Sequence, residues 1–313
     1  QGGTVGGGKL VLMYKWDIEE ALKLIEREQV NTLSAVPMMT RELLAHPDFH
    51  DYDTSSLNSL GGGGAAMHPD LPSKVVETTK RAKPSQGYGM TEVCGIASYT
   101  TGDLFVARPE SCGPLVPTLE GKIVNEAGES LPVGERGELC VKGAPVIKGY
   151  LNRPEATAET IVDGWLHTGD EGAIDEDGFL TITGRVKDIF KTSKGKYVAP
   201  SPIEMKLSAN KNLEQICVVG DGLPQPIVLV VLSERGKAKT KEDLVASLSK
   251  TMEVVNPKLD KHEKLHNIVV VAEDWTIENK LLTPTMKIKR NAIEKIYKSN
   301  YTSWYEGERV IFV

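Results

Sequence analysis

Apolar positions in the first hundred residues alternate between helical spacing and short continuous runs. Ala21, Leu22 and Ile25 recur on one helix face, and Asp17 before them is a candidate N-cap with Glu20 three residues later. The predicted elements are a helix opening at Asp17, a strand at 32–36, a helix at 38–45, a strand at 57–60 and a helix opening at Pro69. This alternation predicts a largely parallel sheet covered by helices.

From about Asp103 the pattern changes to short β-prone runs separated by turn signals such as Asp177-Gly178. We predict a small antiparallel β subdomain there, with strands at 122–124, 138–142 and 180–183. A compact α+β domain is expected after Arg185. Its predicted elements are strands at 216–219, 226–232 and 268–271, a helix at 241–255 and a last helix at 289–297. The predicted domains are therefore 1–102, 103–185 and 186–313.

Composition narrows the class of protein. A chain of 313 residues with a net charge of −6 can hold two packed domains and gives no reason to expect a nucleic-acid partner. The longest strongly apolar run, 227–232, is too short to cross a bilayer, and no signal peptide is visible. The four cysteines show no CxxC spacing, so we expect reduced thiols in a cytoplasmic protein. Without an initiator methionine, the native N-terminus is expected to be missing.

Two short motifs suggest other chemistry. Residues 3–9 fit the first seven places of a phosphate-binding P-loop, but Leu10 replaces the hydroxyl residue, and 9–13 has the pattern of a strand. We expect a glycine-rich turn instead. His262 and His266 match the HExxH zinc-protease spacing, which requires a helix to bring both imidazoles to one face. Charged neighbours favour a short solvated helix there, and metal analysis would test the zinc alternative.

Three longer segments carry more specific chemistry. In 86–92, glycines allow close backbone approach to a ligand, Thr91 offers a hydroxyl to phosphate, and Glu92 offers a hard oxygen to magnesium. Segment 164–170 ends at Asp170, whose carboxylate can accept both hydroxyls of a ribose, and Arg185 follows after one hairpin. Segment 282–290 is basic around Lys287. The alternatives are an ordinary strand-to-loop turn, a turn aspartate with a surface arginine, and a solvated basic run.

Together these segments resemble the adenylate-forming superfamily of acyl- and aryl-CoA synthetases, luciferases and peptide-synthetase adenylation domains. The motifs that match are its adenine-side glycine loop at 60–67, its YGxTE motif at 88–92, its TGD motif at 165–170, its hinge motif at 184–188 and its C-terminal lysine motif at 283–287. Segment 190–200 is similar to long-chain fatty acyl-CoA synthetases in particular. The family's phosphate loop is absent, Thr285-Met286 replaces the usual Ser-Gly, and Gly195 lies one place later than in many relatives.

The resemblance implies an α/β fold: the C-terminal part of a large AMP-binding domain, the β subdomain that completes the nucleotide site, and a mobile α+β domain. It implies ATP, Mg²⁺ and coenzyme A as co-substrates. The implied nucleotide-site roles are purine lining by Gly64 and Ala65, nucleotide binding by Tyr88 and Gly89, phosphate contact by Thr91, magnesium binding by Glu92, and ribose binding by Asp170 and Arg185. The remaining roles are transition-state charge for Lys287, the hinge for Lys187, and the CoA side for Ser193, Gly195 and Lys196.

Several functions remain open at this point. The first is an acid–CoA ligase, with a fatty acid preferred over an aryl acid as substrate, whose 313-residue fragment is expected to turn over poorly alone. The others are an adenylation domain that loads a carrier protein, a non-catalytic nucleotide-binding remnant, and a zinc hydrolase built on His262 and His266. No transmembrane segment is expected. Peripheral membrane contact and the oligomeric state are left open.

Overall fold

A computed structural model describes residues 6–65, 67–283 and 286–313, and the chain divides into two compact units. The first unit runs up to Thr168 and includes 172–182, and the second comprises 169–171 and 183–313. The second unit therefore takes two short segments, 169–171 and 183–185, from one β-hairpin in addition to residues 186–313.

The first unit begins with a four-stranded sheet. Its elements in chain order are helix α1 (Ile18–Glu28), strand β1 (Thr32–Ser34), helix α2 (Pro37–Ala45), strand β2 (Ser59–Gly63), helix α3 (Leu71–Thr78), strand β3 (Lys83–Met90), strand β4 (Gly95–Thr101) and helix α4 (Gly102–Ala107). Strands β1, β2 and β3 are parallel neighbours, and β4 runs antiparallel to β3. The predicted helix-covered, largely parallel sheet is confirmed.

Some local predictions in this part are correct and others are wrong. Asp17 caps α1 as predicted, because its carboxylate accepts a hydrogen bond from the Glu20 amide. Strand β2 continues through the glycines, since 61–63 pair in register with β3. Pro69 does not open a helix: α3 begins two residues later, after Asp70. Residues 9–13 form no strand.

A second, antiparallel sheet follows. Its strands are β5 (Gly113–Pro114), β6 (Leu119–Val124), β7 (Gly137–Gly143), β8 (Ile161–Val162), β9 (Trp165–Ile174) and β10 (Phe179–Arg185), with helix α5 (Pro154–Thr160) before β8. The order is β5-β10-β9-β7-β6, with β8 on β9. Leu139, Leu166 and Leu180 are fully buried in the core under this sheet. All three predicted strands of the subdomain are present. The short helix α4, which lies at the start of this region, was not predicted.

The second unit contains a four-stranded sheet buried on both faces. Its elements are β11 (Phe190–Lys191), β12 (Tyr197–Val198), α6 (Pro200–Leu207), β13 (Leu213–Val219), β14 (Ile227–Leu232), α7 (Glu234–Lys237), α8 (Lys241–Val255), β15 (Ile268–Val270), α9 (Arg290–Tyr297), α10 (Tyr301–Tyr305) and β16 (Val310–Phe312). Along β14, Val228 and Val230 face one core, and Leu229 and Val231 face the other. This explains the continuous apolar run in the sequence.

Two C-terminal predictions are wrong. The helix predicted as the last one is α9, but α10 and β16 follow it because Tyr301 and Trp304 pack into the second core. His262 lies in a turn rather than a helix, and the ring of His266 stacks on Tyr305 at 3.9 Å. The helical face that a zinc protease needs is therefore not formed. Among the helices of the described residues, none combines the length and apolar content needed to cross a bilayer.

Candidate active site

In the first unit, the ends of the parallel strands surround a cavity of about 400 Å³. Gly64, Tyr88 and Gly89, which the sequence assigned to the nucleotide, all line it. Position 89 requires glycine because the backbone of Gly95 lies very close: a Cβ on residue 89 would be 1.7 Å from the Gly95 carbonyl oxygen. Ala65 is exposed and does not line this cavity. Gly61, Gly62 and Gly63 of the predicted adenine-side loop and Gly87 of segment 86–92 also line it. The remaining lining residues, which sequence reasoning missed, are Thr32, Leu33, Ser34, Ser59, Ser85, Gly95, Ile96 and Tyr99.

Thr91 and Glu92 lie in a short 3₁₀ turn that directly follows β3 and is anchored by buried Val93. The Tyr150 hydroxyl donates a 3.0 Å hydrogen bond to Glu92 Oε1, which orients the carboxylate. Burial and this bond to Glu92 raise the pKa of the Tyr150 hydroxyl, so Tyr150 stays a neutral donor. Tyr150 was not predicted as part of the site, since 58 positions separate it from Glu92.

Asp170 and Arg185 are brought together by the hairpin of β9 and β10. Arg185 Nε lies 3.0 Å from Asp170 Oδ1, and the Asp170 side chain is only 12% exposed while that of Arg185 is 49% exposed. The Thr183 hydroxyl donates a 2.5 Å bond to Glu171 across the same hairpin. The Asp170 carboxylate can therefore accept hydrogen bonds from ligand hydroxyls while it keeps its ion pair with Arg185.

Lys187 is exposed in the 3₁₀ turn Val186–Asp188, which leads out of β10. The next residue, Asp188, lies 4.0 Å from the guanidinium of Arg290. Arg290 is 9% exposed, donates a 2.7 Å hydrogen bond to Glu204 and also donates to the carbonyl of Val218. Burial lowers the pKa of the Arg290 guanidinium, but the nearby acidic groups outweigh it and hold that pKa above its usual value. Sequence reasoning missed this network.

Lys287 is exposed on a loop whose ends are tied together. The Thr283 amide donates to the Lys287 carbonyl at 2.8 Å, and the Lys287 amide donates to the Thr283 hydroxyl at 3.0 Å. A bridge between Leu282 and Ile288 closes the base of the loop. The motif residues 284 and 285 lie outside the described residues. These bonds fix the backbone of the loop, and the side chains of Met286 and Lys287 are both exposed on it.

Met286 has φ +60°, in the left-handed region that favours glycine. This is the position where the resembling motif usually has glycine. We expect Met286→Gly to leave the free energy of unfolding unchanged within about 0.5 kcal/mol, because relief of roughly 1 kcal/mol of backbone strain offsets the entropy that glycine gains on unfolding. Denaturant unfolding would measure this. The control Lys295→Gly, inside helix α9, should cost about 0.5–1 kcal/mol. Equal losses in both variants would refute the account.

Ser193, Gly195 and Lys196 share the turn that joins β11 to β12. The Thr192 amide donates to the Lys196 carbonyl at 2.8 Å, and the Gly195 amide donates to the Thr192 carbonyl at 2.9 Å. Gly195 has φ +74°, which explains why glycine occupies this place in the turn. The Ser193 amide donates to the Leu223 carbonyl at 2.9 Å, which fastens the turn to the rest of the second unit.

Comparison with known proteins supplies the family. Residues 2–151 match the family described as AMP-binding enzyme, and 187–309 match the AMP-binding enzyme C-terminal domain. Over 250 residues the chain is 37% identical to 4-coumarate–CoA ligase 1 of Glycine max, covering 77% of this chain and 85% of that relative. The chain belongs to the adenylate-forming superfamily.

Other relatives that match the chain are about twice its length. A medium/long-chain-fatty-acid–CoA ligase of Mycobacterium tuberculosis is 33% identical over 276 residues, covering 86% of this chain and 47% of the relative. The structure of O-succinylbenzoate coenzyme A synthetase from Bacillus subtilis, in complex with ATP and a magnesium ion, matches with a TM-score of 0.77 and 25% identity, covering 93% of this chain and 57% of that one. The chain thus spans about half the length of most curated relatives it matches. The predicted superfamily and α/β fold are confirmed.

Proposed function

We propose that this adenylate-forming chain is the C-terminal part of an AMP-forming acid–CoA ligase. The observation that carries the proposal is the pairing of Asp170 with Arg185 at 3.0 Å, in a chain that belongs to this superfamily. The largely buried Asp170 carboxylate, held by the Arg185 guanidinium, can accept hydrogen bonds from both hydroxyls of a ribose. ATP, a carboxylic acid and CoA are the proposed substrates.

In the first half-reaction, a carboxylate attacks the α-phosphate of ATP, giving an acyl-adenylate and pyrophosphate. Both reacting groups are anionic, so the barrier is largely electrostatic and fixed cations lower it. We assign ribose binding to Asp170 and Arg185, and the developing charge to the Lys287 ammonium, whose compact charge sits on a flexible stem. Thr91 would contact phosphate, and Tyr88 would pack on the adenine.

Glu92 is the residue that we propose for Mg²⁺. Its carboxylate offers the hard oxygen that magnesium prefers. The Tyr150 hydroxyl bonded to Oε1 is the kind of outer partner that fixes a metal-binding carboxylate, so the residues fit the ion. Bound Mg²⁺ would offset phosphate charge.

In the second half-reaction, a thiol attacks the activated carbonyl and AMP leaves. The resemblance implies that the small domain rotates about a hinge between the two steps, which removes the lysine. We assign the hinge to Lys187, and the boundary between 103–185 and 186–313 to the same turn. The match of 187–309 to the family's C-terminal domain supports this division. The turn carrying Ser193, Gly195 and Lys196 would then meet the pantetheine of CoA.

Two classes of acid have support. The resemblance of 190–200 to long-chain synthetases and the likeness to the mycobacterial fatty-acid ligase favour a fatty acid. The likeness to the 4-coumarate–CoA ligase of Glycine max favours an aryl acid. The acyl pocket decides between them, and substrate competition is the direct measurement.

The test is acid-dependent ATP–pyrophosphate exchange by the 313-residue chain, alone and joined to the N-terminal half of a full-length family member. Fatty acids and 4-coumaric acid are compared, with CoA-thioester mass spectrometry on the same samples. A ligase exchanges and forms a free thioester. Exchange without thioester would indicate a carrier-protein acceptor, and neither product in the joined protein would indicate a non-catalytic remnant.

Asp170→Asn should weaken AMP binding about 10- to 100-fold, because hydrogen bonds to a charged acceptor contribute roughly 1.5–3 kcal/mol. Isothermal titration would measure the dissociation constant. The matched control is Asp177→Asn. Asp177 lies in the turn of the same hairpin, and its carboxylate forms an ion pair with Arg108. The control should bind AMP as the unsubstituted chain does. If both variants bound equally well, the ribose assignment would be wrong.

A further inference from the structure

The face of the antiparallel sheet opposite its core in the first unit carries three side chains that can bind metal, of which Cys140 is fully buried and the other two are partly exposed. Glu138 and Cys140 are two residues apart on β7, so both point to the face opposite the core residue Leu139. His167 lies on the neighbouring strand β9, with Leu166 directed to the core. Among the described residues, this is the group of His, Cys and acidic side chains whose ligand atoms lie close enough to share one ion.

The distances approach those of a tetrahedral zinc site. Cys140 Sγ lies 3.5 Å from His167 Nδ1, which lies 2.8 Å from Glu138 Oε2, and all three ligand atoms are within 4.8 Å of one another. Bond lengths of about 2.0–2.3 Å at tetrahedral angles place neighbouring ligand atoms roughly 3.4–3.6 Å apart. The sulfur–nitrogen spacing already agrees, and the nitrogen–oxygen spacing has to open by about 0.6 Å.

We propose that Glu138, Cys140 and His167 bind one borderline-soft divalent ion, with Zn²⁺ as the best match, and leave the fourth position to water. Thiolate, imidazole and carboxylate are the three zinc ligand types, whereas Mg²⁺ and Ca²⁺ prefer oxygen alone. The side chains of Glu138 and His167 are 22% and 28% exposed, which gives an ion a path from solvent. On binding, the thiol proton leaves to solvent and a Zn–S bond forms.

Nearby charges modulate this site. Lys122 is the register partner of Cys140 on β6, and its ammonium lies 4.6 Å from the ring centre of Trp165. Burial and the Glu138 carboxylate raise the pKa of the Cys140 thiol to about 12, and the Lys122 ammonium opposes them. Because exchange of the thiol proton for a divalent ion adds one positive charge to the site, that ammonium disfavours ion binding overall. Removing it should therefore tighten zinc binding. None of the three ligands has an assigned contact with nucleotide, acid or CoA, although His167 lies in the motif 165–170 that ends at Asp170. Metal binding is therefore measured directly rather than through ligase activity.

The test uses the full 313-residue chain with Zn²⁺ or Co²⁺ alone. We expect one equivalent of Zn²⁺ by titration calorimetry, a higher midpoint of thermal unfolding, and thiolate-to-cobalt charge-transfer absorption with Co²⁺. Cys140→Ser should abolish that absorption, and His167→Gln should weaken Zn²⁺ binding by about tenfold or more. Lys122→Gln should strengthen binding, and this variant keeps all three ligands in case the others fail to fold.

Two matched controls separate this site from other thiols and imidazoles. Cys94→Ser removes an exposed thiol, and His262→Gln removes one imidazole of the HExxH string. Both should leave Zn²⁺ affinity and cobalt absorption unchanged. Absence of stoichiometric binding, or loss of the absorption in Cys94→Ser but not in Cys140→Ser, would overturn the assignment.

Discussion

Lys287→Ala should reduce acid-dependent ATP–pyrophosphate exchange roughly 100- to 1,000-fold, the loss typical when one fixed charge partner of a transition state is removed. The Lys287 backbone is bound to Thr283 through both its amide and its carbonyl, so the substitution removes the ammonium without disturbing the loop. Thioester formation from supplied acyl-adenylate should persist, because the lysine is assigned to the first half-reaction only.

The control for this prediction is Lys289→Ala, which removes an exposed lysine from the same basic run. Both half-reactions should survive it, because that ammonium has no assigned role in either step. Both variants are assayed in the protein joined to its N-terminal half. Equal loss of the two half-reactions in Lys287→Ala, or equal exchange in the two variants, would contradict the role assigned to Lys287.

Arg290→Met should lower the free energy of unfolding by about 3–5 kcal/mol, the range found when one partner of a buried ion pair is removed. The substitution leaves the Glu204 carboxylate, 19% exposed, without its 2.7 Å partner, and it leaves the Val218 carbonyl without its donor. Each group then loses a hydrogen bond that offset the free energy of removing it from water. Urea unfolding followed by circular dichroism would measure the loss.

Arg309→Met provides a matched control for the same substitution. Arg309 and Glu253 form an ion pair at 3.3 Å, but their side chains are 46% and 63% exposed, so solvent screens the interaction. We expect a loss of about 0–1 kcal/mol there. If Arg290→Met were no more destabilising than this control, the buried network would not be the element that fixes the start of α9.

Much of the fold follows from local pattern. The helical repeat after Asp17, the continuous apolar run of β14 and the amphipathic helix 241–255 all appear where the sequence predicts them. Two errors arise where a local sequence signal does not match the surrounding structure. Pro69 has the residue type of a helix start, yet the helix forms only after Asp70. The HExxH spacing has no helix to act on, because that segment leads into β15 and His266 packs on Tyr305.

The same division holds for the functional residues. Asp170 and Arg185 could be paired from the sequence, because one hairpin joins their strands and alternation fixes the faces. The partners of Glu92 and Arg290, namely Tyr150 and Glu204, lie far away along the chain, so only packing brings them into contact. The β7 alternation put Glu138 and Cys140 on one face, but His167 reached them through the pairing of β9 with β7. Sequence periodicity sets which side of an element a residue faces, whereas strand neighbours and helix packing decide what it meets there.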